Sequence, residues 1–273
     1  MLVENVVGSA LFAGVVASAV TVAIERFGGR IGGLLGTLPT TIVPASVGLW
    51  LQTANVDAFQ AAMDSTPAGM LVNALFLLCW RVVPPWLPQF SLKLMLCIMS
   101  ISTLGFWILL AWPTVLLGES FPLGETFVFG VVSMALLLSL GVAATRKQLP
   151  TPKGQRAVSW FVLGCRGVFA ATAIGVAVWT AEVIGPVAAG IAAVFPAIFF
   201  TSMASLWLAQ GHAVPAGAVG PMMLGSSSVG AYALFAHVLF PALGPWVGAV
   251  TCWFAAVVTT TVPAWWWLEK RAV

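Results

Sequence analysis

Arg146-Lys147-Gln148-Leu149-Pro150-Thr151-Pro152-Lys153-Gly154-Gln155-Arg156 is the longest polar segment in a chain of 273 residues, and it holds four basic residues and two prolines. On either side the sequence turns apolar for long stretches. Overall 60% of residues are hydrophobic and 7% are charged, against roughly 25% charged in a soluble domain. So little charge does not cover a water-soluble fold. The apolar runs reach the roughly 20 residues that a helix needs to cross about 30 Å of hydrocarbon. They lack the alternation of an outer-membrane barrel strand, so the fold class is all-α and polytopic.

Reading outward from the basic segment, nine spans are expected, near 8–27, 31–52, 62–84, 93–112, 123–144, 157–180, 187–209, 216–239 and 246–267. Placing the basic loop in the cytoplasm assigns every other loop by alternation. Arg26, Arg30, Arg81, Lys93, Lys270 and Arg271 then fall on the same side, bringing the loop's four to ten of the eleven basic residues; Arg166, inside the sixth span, enters from that face. Glu4, Asp57, Asp64, Glu119, Glu125 and Glu182 fall outside. The expectation is a bacterial inner (cytoplasmic) membrane protein, N-terminus outside and C-terminus inside. The start MLVENVVG has no basic n-region, so the first run is expected to persist as a helix. Tryptophans fit interfacial belts: Trp50, Trp112, Trp179 and Trp246 at outer ends, Trp80, Trp160 and Trp265-Trp266-Trp267 at inner ends.

Sliding the chain against itself by 157 residues aligns identical residues without gaps. Phe12 meets Phe169, Glu25 meets Glu182, Gly28 meets Gly185, Gly33 meets Gly190 and Pro39 meets Pro196. Leu49-Trp50-Leu51 meets Leu206-Trp207-Leu208, and Pro84 and Pro88 meet Pro241 and Pro245. Matches of Glu, Trp and three prolines in one register point to duplication. Five spans separate equivalent positions, and an odd number reverses direction. The expected architecture is therefore two inverted four-helix repeats, helices 1–4 and 6–9, joined by connector helix 5. In residues, 1–122 is the first repeat, 123–156 the connector and basic loop, and 157–273 the second repeat. Inverted repeats are frequent in secondary transporters.

The segment Gly190-Ile191-Ala192-Ala193-Val194-Phe195-Pro196, an exit near Ala209-Gln210-Gly211, a return to Ala242 and the later Thr251-Cys252-Trp253-Phe254 resemble the GlpM-like family of small bacterial inner-membrane proteins. The first half keeps the spacing from Gly33 to Pro39, with Leu38 in place of Phe. The resemblance implies a duplicated version of a chain about half this length, and it implies no substrate.

Pro39 and Pro196 are expected mid-span, each freeing a carbonyl about a turn earlier. Thr40, Thr41 and Ser46 follow the first, and Thr201, Ser202 and Ser205 the second. Paired helix breaks near the midplane are either a substrate or ion site or packing kinks. Arg166 lies nine residues past Ala157; it either meets an anionic group or snorkels to the interface. Glu25 and Glu182, mirrored at the ends of helices 1 and 6, are candidates for ion coupling or solvated helix ends. Asp64 either caps helix 3 or couples to protons. Asn73 in helix 3 and Ser226-Ser227-Ser228 in helix 8 either line a polar path or hold helices together.

Cys79, Cys97, Cys165 and Cys252 lie in apolar stretches without metal-ligand spacing and read as buried small hydrophobes; His212 and His237 are expected at opposed levels, so no metal site is expected. P-loop, GxSxG and HExxH motifs are absent, so neither ATP nor familiar hydrolase chemistry is supported. No cofactor is expected. The expectation is a non-enzymatic carrier of a small, anionic or other solute by a gradient-driven or facilitative alternating-access mechanism. The alternative is a lipid-handling or scaffold protein of envelope biosynthesis. The expected partners are the bilayer and a small-molecule or ion substrate, with no nucleic acid and with homo-oligomerisation left open.

Overall fold

The computed structural model describes residues 38–53, 55–88, 91–146, 183–210 and 213–270, together with Leu11 and scattered positions between 164 and 179. The first expected span, nearly all of the sixth, the start of the second and most of the basic loop lie outside the described residues. Every described element is helical. In chain order they are α1 Ile42–Gln52, α2 Val56–Val82, α3 Leu92–Glu119, α4 Thr126–Thr145, α5 Pro186–Ala192, α6 Ala197–Gln210, α7 Ala213–Gly225, α8 Ser227–Ala256 and α9 Val262–Lys270. A π turn at Val257–Thr261 links the last two.

Five helical stretches are long and apolar enough to cross a membrane: Val56–Val82, Leu92–Glu119, Thr126–Thr145, Pro186–Leu208 and Ala216–Lys270. The protein is an all-α membrane protein. The most apolar 18-residue window of α2 is 78% buried, against 22% for α3 and 33% for α4. Helix α2 is therefore the central post. Its Phe59, Met63, Phe76, Leu77 and Trp80 are fully enclosed. Ile101, Ile108 and Leu109 of α3, Val128 and Leu136 of α4, and Val247 and Phe254 of α8 face outward. An apolar surface this extensive is stable only against hydrocarbon.

Charge is sorted between the two ends of the bundle. Arg81 Nη1 donates to the Ala144 carbonyl at 2.9 Å, and Trp267 Nε1 to Thr145 Oγ1 at 3.0 Å, which brings the C-terminal ends of α2, α4 and α9 together. Trp207 Nε1 reaches the Leu92 carbonyl at the start of α3. Arg81, Lys93, Arg146 and Lys270 thus share one end with Glu269, and Asp57, Glu119 and Glu125 share the other.

Several expectations need correction. The third span begins at Val56, not 62, because Asn55 caps it: its side chain accepts from the Ala58 backbone N–H at 2.8 Å. Asp64 is therefore no cap; it lies inside α2, fully buried. The stretch 216–239 is interrupted by a tight turn at Ser226, and the sharp change of backbone direction comes at Gly244, where φ is 73°. A left-handed φ favours glycine. Trp80, expected at the inner interface, is fully buried and packs edge-to-face at 5.9 Å on Trp207, which is also fully buried. Cys97 is exposed and Cys79 half-buried, whereas Cys252 is buried as expected.

Candidate functional site

Pro196 breaks the helical run between α5 and α6. Having no N–H, it gives the following residue the hydrogen bond: the Ala197 N–H donates to the Phe195 carbonyl at 2.7 Å, closing a three-residue turn around the proline. At Pro39 the Thr40 N–H donates to the Leu38 carbonyl, also at 2.7 Å, just before α1 starts. The two turns have the same form and lie 157 residues apart, as the prolines do. The turn at Pro39 stands ahead of a short helix of 11 residues, and the residues before Leu38 lie outside the described ones. Proline's fixed φ is suited to the centre of such a turn.

The carbonyls exposed by the second break do not face an open space. Asn73 Nδ2 of α2 donates to the Val194 carbonyl at 2.6 Å, and Asn73 Oδ1 accepts from Trp107 Nε1 of α3 at 2.6 Å. The orientation of the amide follows from that pattern of donors and acceptors. Ser65 Oγ donates to the Val187 carbonyl at 3.0 Å, and Thr66 Oγ1 approaches the Gly190 carbonyl at 3.4 Å. Helix α5 thus rests backbone-to-backbone on α2. Gly190 permits this: a Cβ there would strike the Ala62 carbonyl and Ser65 Oγ. Small residues play this part wherever membrane helices approach closely.

A second polar centre lies on α2 nearer the acidic end. The Asp64 carboxylate accepts from Thr126 Oγ1 of α4 at 2.7 Å and lies 2.9 Å from His237 Nδ1 of α8. Gln60 Nε2, one turn away on α2, donates to the His237 backbone carbonyl at 3.0 Å. The Phe127 ring packs 4.8 Å from the imidazole. Gly130 lets α4 close on α2 at this level, since a Cβ there would stand 2.6 Å from the Asp64 carbonyl oxygen. Asp64 is fully buried, and His237 retains 18% of its side-chain exposure.

The remaining expected residues are placed as follows. Ser46 is fully buried in α1, its hydroxyl 2.7 Å from the Tyr232 hydroxyl of α8 and donating to the Val43 carbonyl. Thr40 makes a long bond to the Leu38 carbonyl, and Thr41 occupies the N-cap position of α1 without a side-chain cap. Thr201 is buried and donates to the Ala197 carbonyl; Ser202 is buried beside it. Ser226 and Ser227 bond back to the Met223 and Leu224 carbonyls. Those serines satisfy their own helix. Arg166, Glu25, Glu182 and His212 lie outside the described residues.

Asn73 and the Pro196 break are thus brought together, as are Ser46 and α8. Thr126, Tyr232, Trp107 and His237 were not singled out as site residues from the sequence. Two signals pointed that way. Tyr232 is the single tyrosine of the chain, and Asp64 and His237 are assigned to matching helices at one level. No family model matches the chain, and no curated protein or solved structure matches it.

Proposed function

We propose that the protein is a secondary carrier for a small solute, working by alternating access between two inverted repeats in a nine-helix, N-out arrangement of the bacterial inner membrane. The observation that carries this reading is the pair of proline-centred turns, Leu38 to Thr40 and Phe195 to Ala197, with the same 2.7 Å bond at equivalent positions. Two turns of one form provide what alternating access requires, equivalent joints that exchange conformations. The segregation of basic and acidic residues to opposite ends supports the assignment of sides.

In this reading the polar contacts of α2 with α5 and of α1 with α8 close the solute path in one conformation. Asn73, Ser46, Thr201 and Ser202 are the polar groups set free when the halves shift. Arg166 supplies the charge that favours an anionic solute, and the duplicated GlpM-like origin is part of the same proposal. No catalytic step is assigned.

Purified protein in liposomes, offered inorganic phosphate, sulfate and small mono- and dicarboxylates under proton or sodium gradients, should accumulate at least one. Replacing both prolines together (P39A/P196A) should slow that uptake at least tenfold while leaving the folded fraction unchanged. Empty uptake across the panel with no thermal stabilisation by any solute overturns the reading.

One observation favours a second reading, lipid handling. A cavity of about 190 Å³ between α1 and the far half of α8 is lined by Val43, Ala249, Val250 and Trp253, all apolar. Dithionite quenching of fluorescent phospholipids in the same liposomes would reveal lipid movement if this reading held.

A further inference from the structure

We propose that Asp64 and His237 form a proton-binding site, and that the proton is the ion coupled to transport. The second clause rests on the carrier reading; the first does not.

A carboxylate enclosed in an apolar bundle is costly and persists only with partners that satisfy it. Asp64 has two, the Thr126 hydroxyl on one oxygen and His237 Nδ1 on the other. Thr126 donates its hydroxyl hydrogen to Oδ2, so Asp64 acts as an acceptor there. With Asp64 ionised, the contact at Oδ1 is satisfied by a hydrogen on Nδ1, and that is the tautomer the proposal takes. Nε2 is the remaining ring nitrogen. It has no hydrogen-bond partner among the described residues, and the imidazole retains exposure.

The chemistry is a single proton transfer. A hydronium ion delivers its proton to Nε2, a new N–H bond forms and water departs. The neutral ring becomes an imidazolium, and the neutral-donor hydrogen bond to Asp64 becomes a charge-assisted ion pair. Release to water reverses each change. The Asp64 acceptor is already ionised, so what loading adds is a positive charge on the donor and its attraction for the carboxylate across 2.9 Å. Loading the site therefore tightens α2 against α8, and unloading loosens it. The sequence assigns these helices to different halves, so the proton biases how the halves sit together.

The surroundings keep the transfer specific. Phe127 covers one side of the imidazole, and α4 closes on the Asp64 backbone through Gly130. Besides the pair itself, the titratable side chains on or next to the elements packed here are Asp57, Cys79 and Arg81 of α2, Lys93, Cys97 and Glu119 of α3, Glu125 and Arg146 flanking α4, and Tyr232 and Cys252 of α8. Helices α1, α5 and α7 contribute none. Tyr232 is engaged with Ser46. Among the described residues, no other charged side chain forms an ion pair with Asp64 or His237.

The test is histidine-selective ¹⁵N NMR of the full chain in lipid nanodiscs, using H212Q so that one of the chain's two histidines remains. As the pH is lowered, His237 should take up one proton at Nε2, with Nδ1 protonated throughout. D64N should lower its proton affinity at least tenfold, and T126V should shift it less. In liposomes holding a pH-sensitive dye, the anion panel should acidify the lumen with the wild type and fail to do so with D64N or H237Q. A His237 resonance that does not titrate, or one indifferent to D64N, overturns the proton site. Titration with no movement of any anion and no thermal stabilisation by any of them upholds the proton site and sinks the carrier reading. Anion uptake with unchanged lumenal pH upholds the carrier and overturns proton coupling.

Discussion

The side-chain amide of Asn73 donates to the Val194 carbonyl at 2.6 Å, so that a central helix holds the loose end of a broken one. The same amide accepts from Trp107 on a third helix. One residue thus satisfies a backbone group that the break at Pro196 leaves over, and it fixes the position of that break.

Asn73→Ala strands the Val194 carbonyl and the Trp107 indole N–H in an apolar interior. Each unsatisfied buried group costs about 1–3 kcal/mol. Stability in lipid nanodiscs, followed by thermal or SDS unfolding, should fall by roughly 2 kcal/mol or more. Trp107→Phe leaves only the Asn73 oxygen without its donor, and should cost less than N73A.

Gly190→Ala should be among the most damaging single-methyl additions in the chain, because the new Cβ meets the Ala62 carbonyl and Ser65 Oγ. Overpacking of this kind costs typically about 1–3 kcal/mol, and here backbone must move. Gly105→Ala is the control. Its Cβ meets nothing within 4 Å, so replacing a mid-helix glycine should be neutral or stabilise by up to about 1 kcal/mol. Unfolding midpoints of the two variants should therefore move in different directions or by clearly different amounts.

Ser46 and Tyr232 lie 186 residues apart and share a buried hydroxyl pair at 2.7 Å. A double-mutant cycle with Ser46→Ala and Tyr232→Phe should give a coupling energy of about 0.6 kcal/mol, and no more than about 1.7. Zero coupling would mean that α1 and α8 are not joined there.

Gly244→Ala forces a Cβ into left-handed backbone, φ 73°, at the bend between Pro241 and Pro245. The strain should cost about 1–2 kcal/mol even though the space is open. With ψ at 172° the residue lies in a region essentially confined to glycine, so in a stability series Gly244→Asn should lose about as much as G244A.

Much of the helical framework was legible in the sequence. The third, fourth and fifth apolar runs became α2, α3 and α4, because only helices satisfy backbone groups in hydrocarbon. The basic residues that are described do share one end. Asp64 was misplaced because capping rules look for an acidic residue near the start of an apolar run. Asn55, nine residues earlier, was the true cap, and it made the helix long enough to bury Asp64. The pairing with His237 spans 173 residues and is decided by helix packing, which no local pattern encodes. Trp80 was read as interfacial from its position near the inner end of the third span. In a membrane protein, a tryptophan near a helix end serves equally well as core when a second tryptophan packs against it, as Trp207 does.

Pro67 lies inside α2, between Asp64 and Asn73. It removes one rung of the hydrogen-bond ladder at a point where the helix is otherwise fully enclosed. The upper segment is tethered by Asp64 to α4 and α8, and the lower by Asn73 to α3 and α5. Amide hydrogen exchange along α2 should therefore not fall into a single cooperative unit but divide near this residue, each part opening with its own free energy. A central post that melts in two instalments lets one side of the bundle relax while the other keeps its fold.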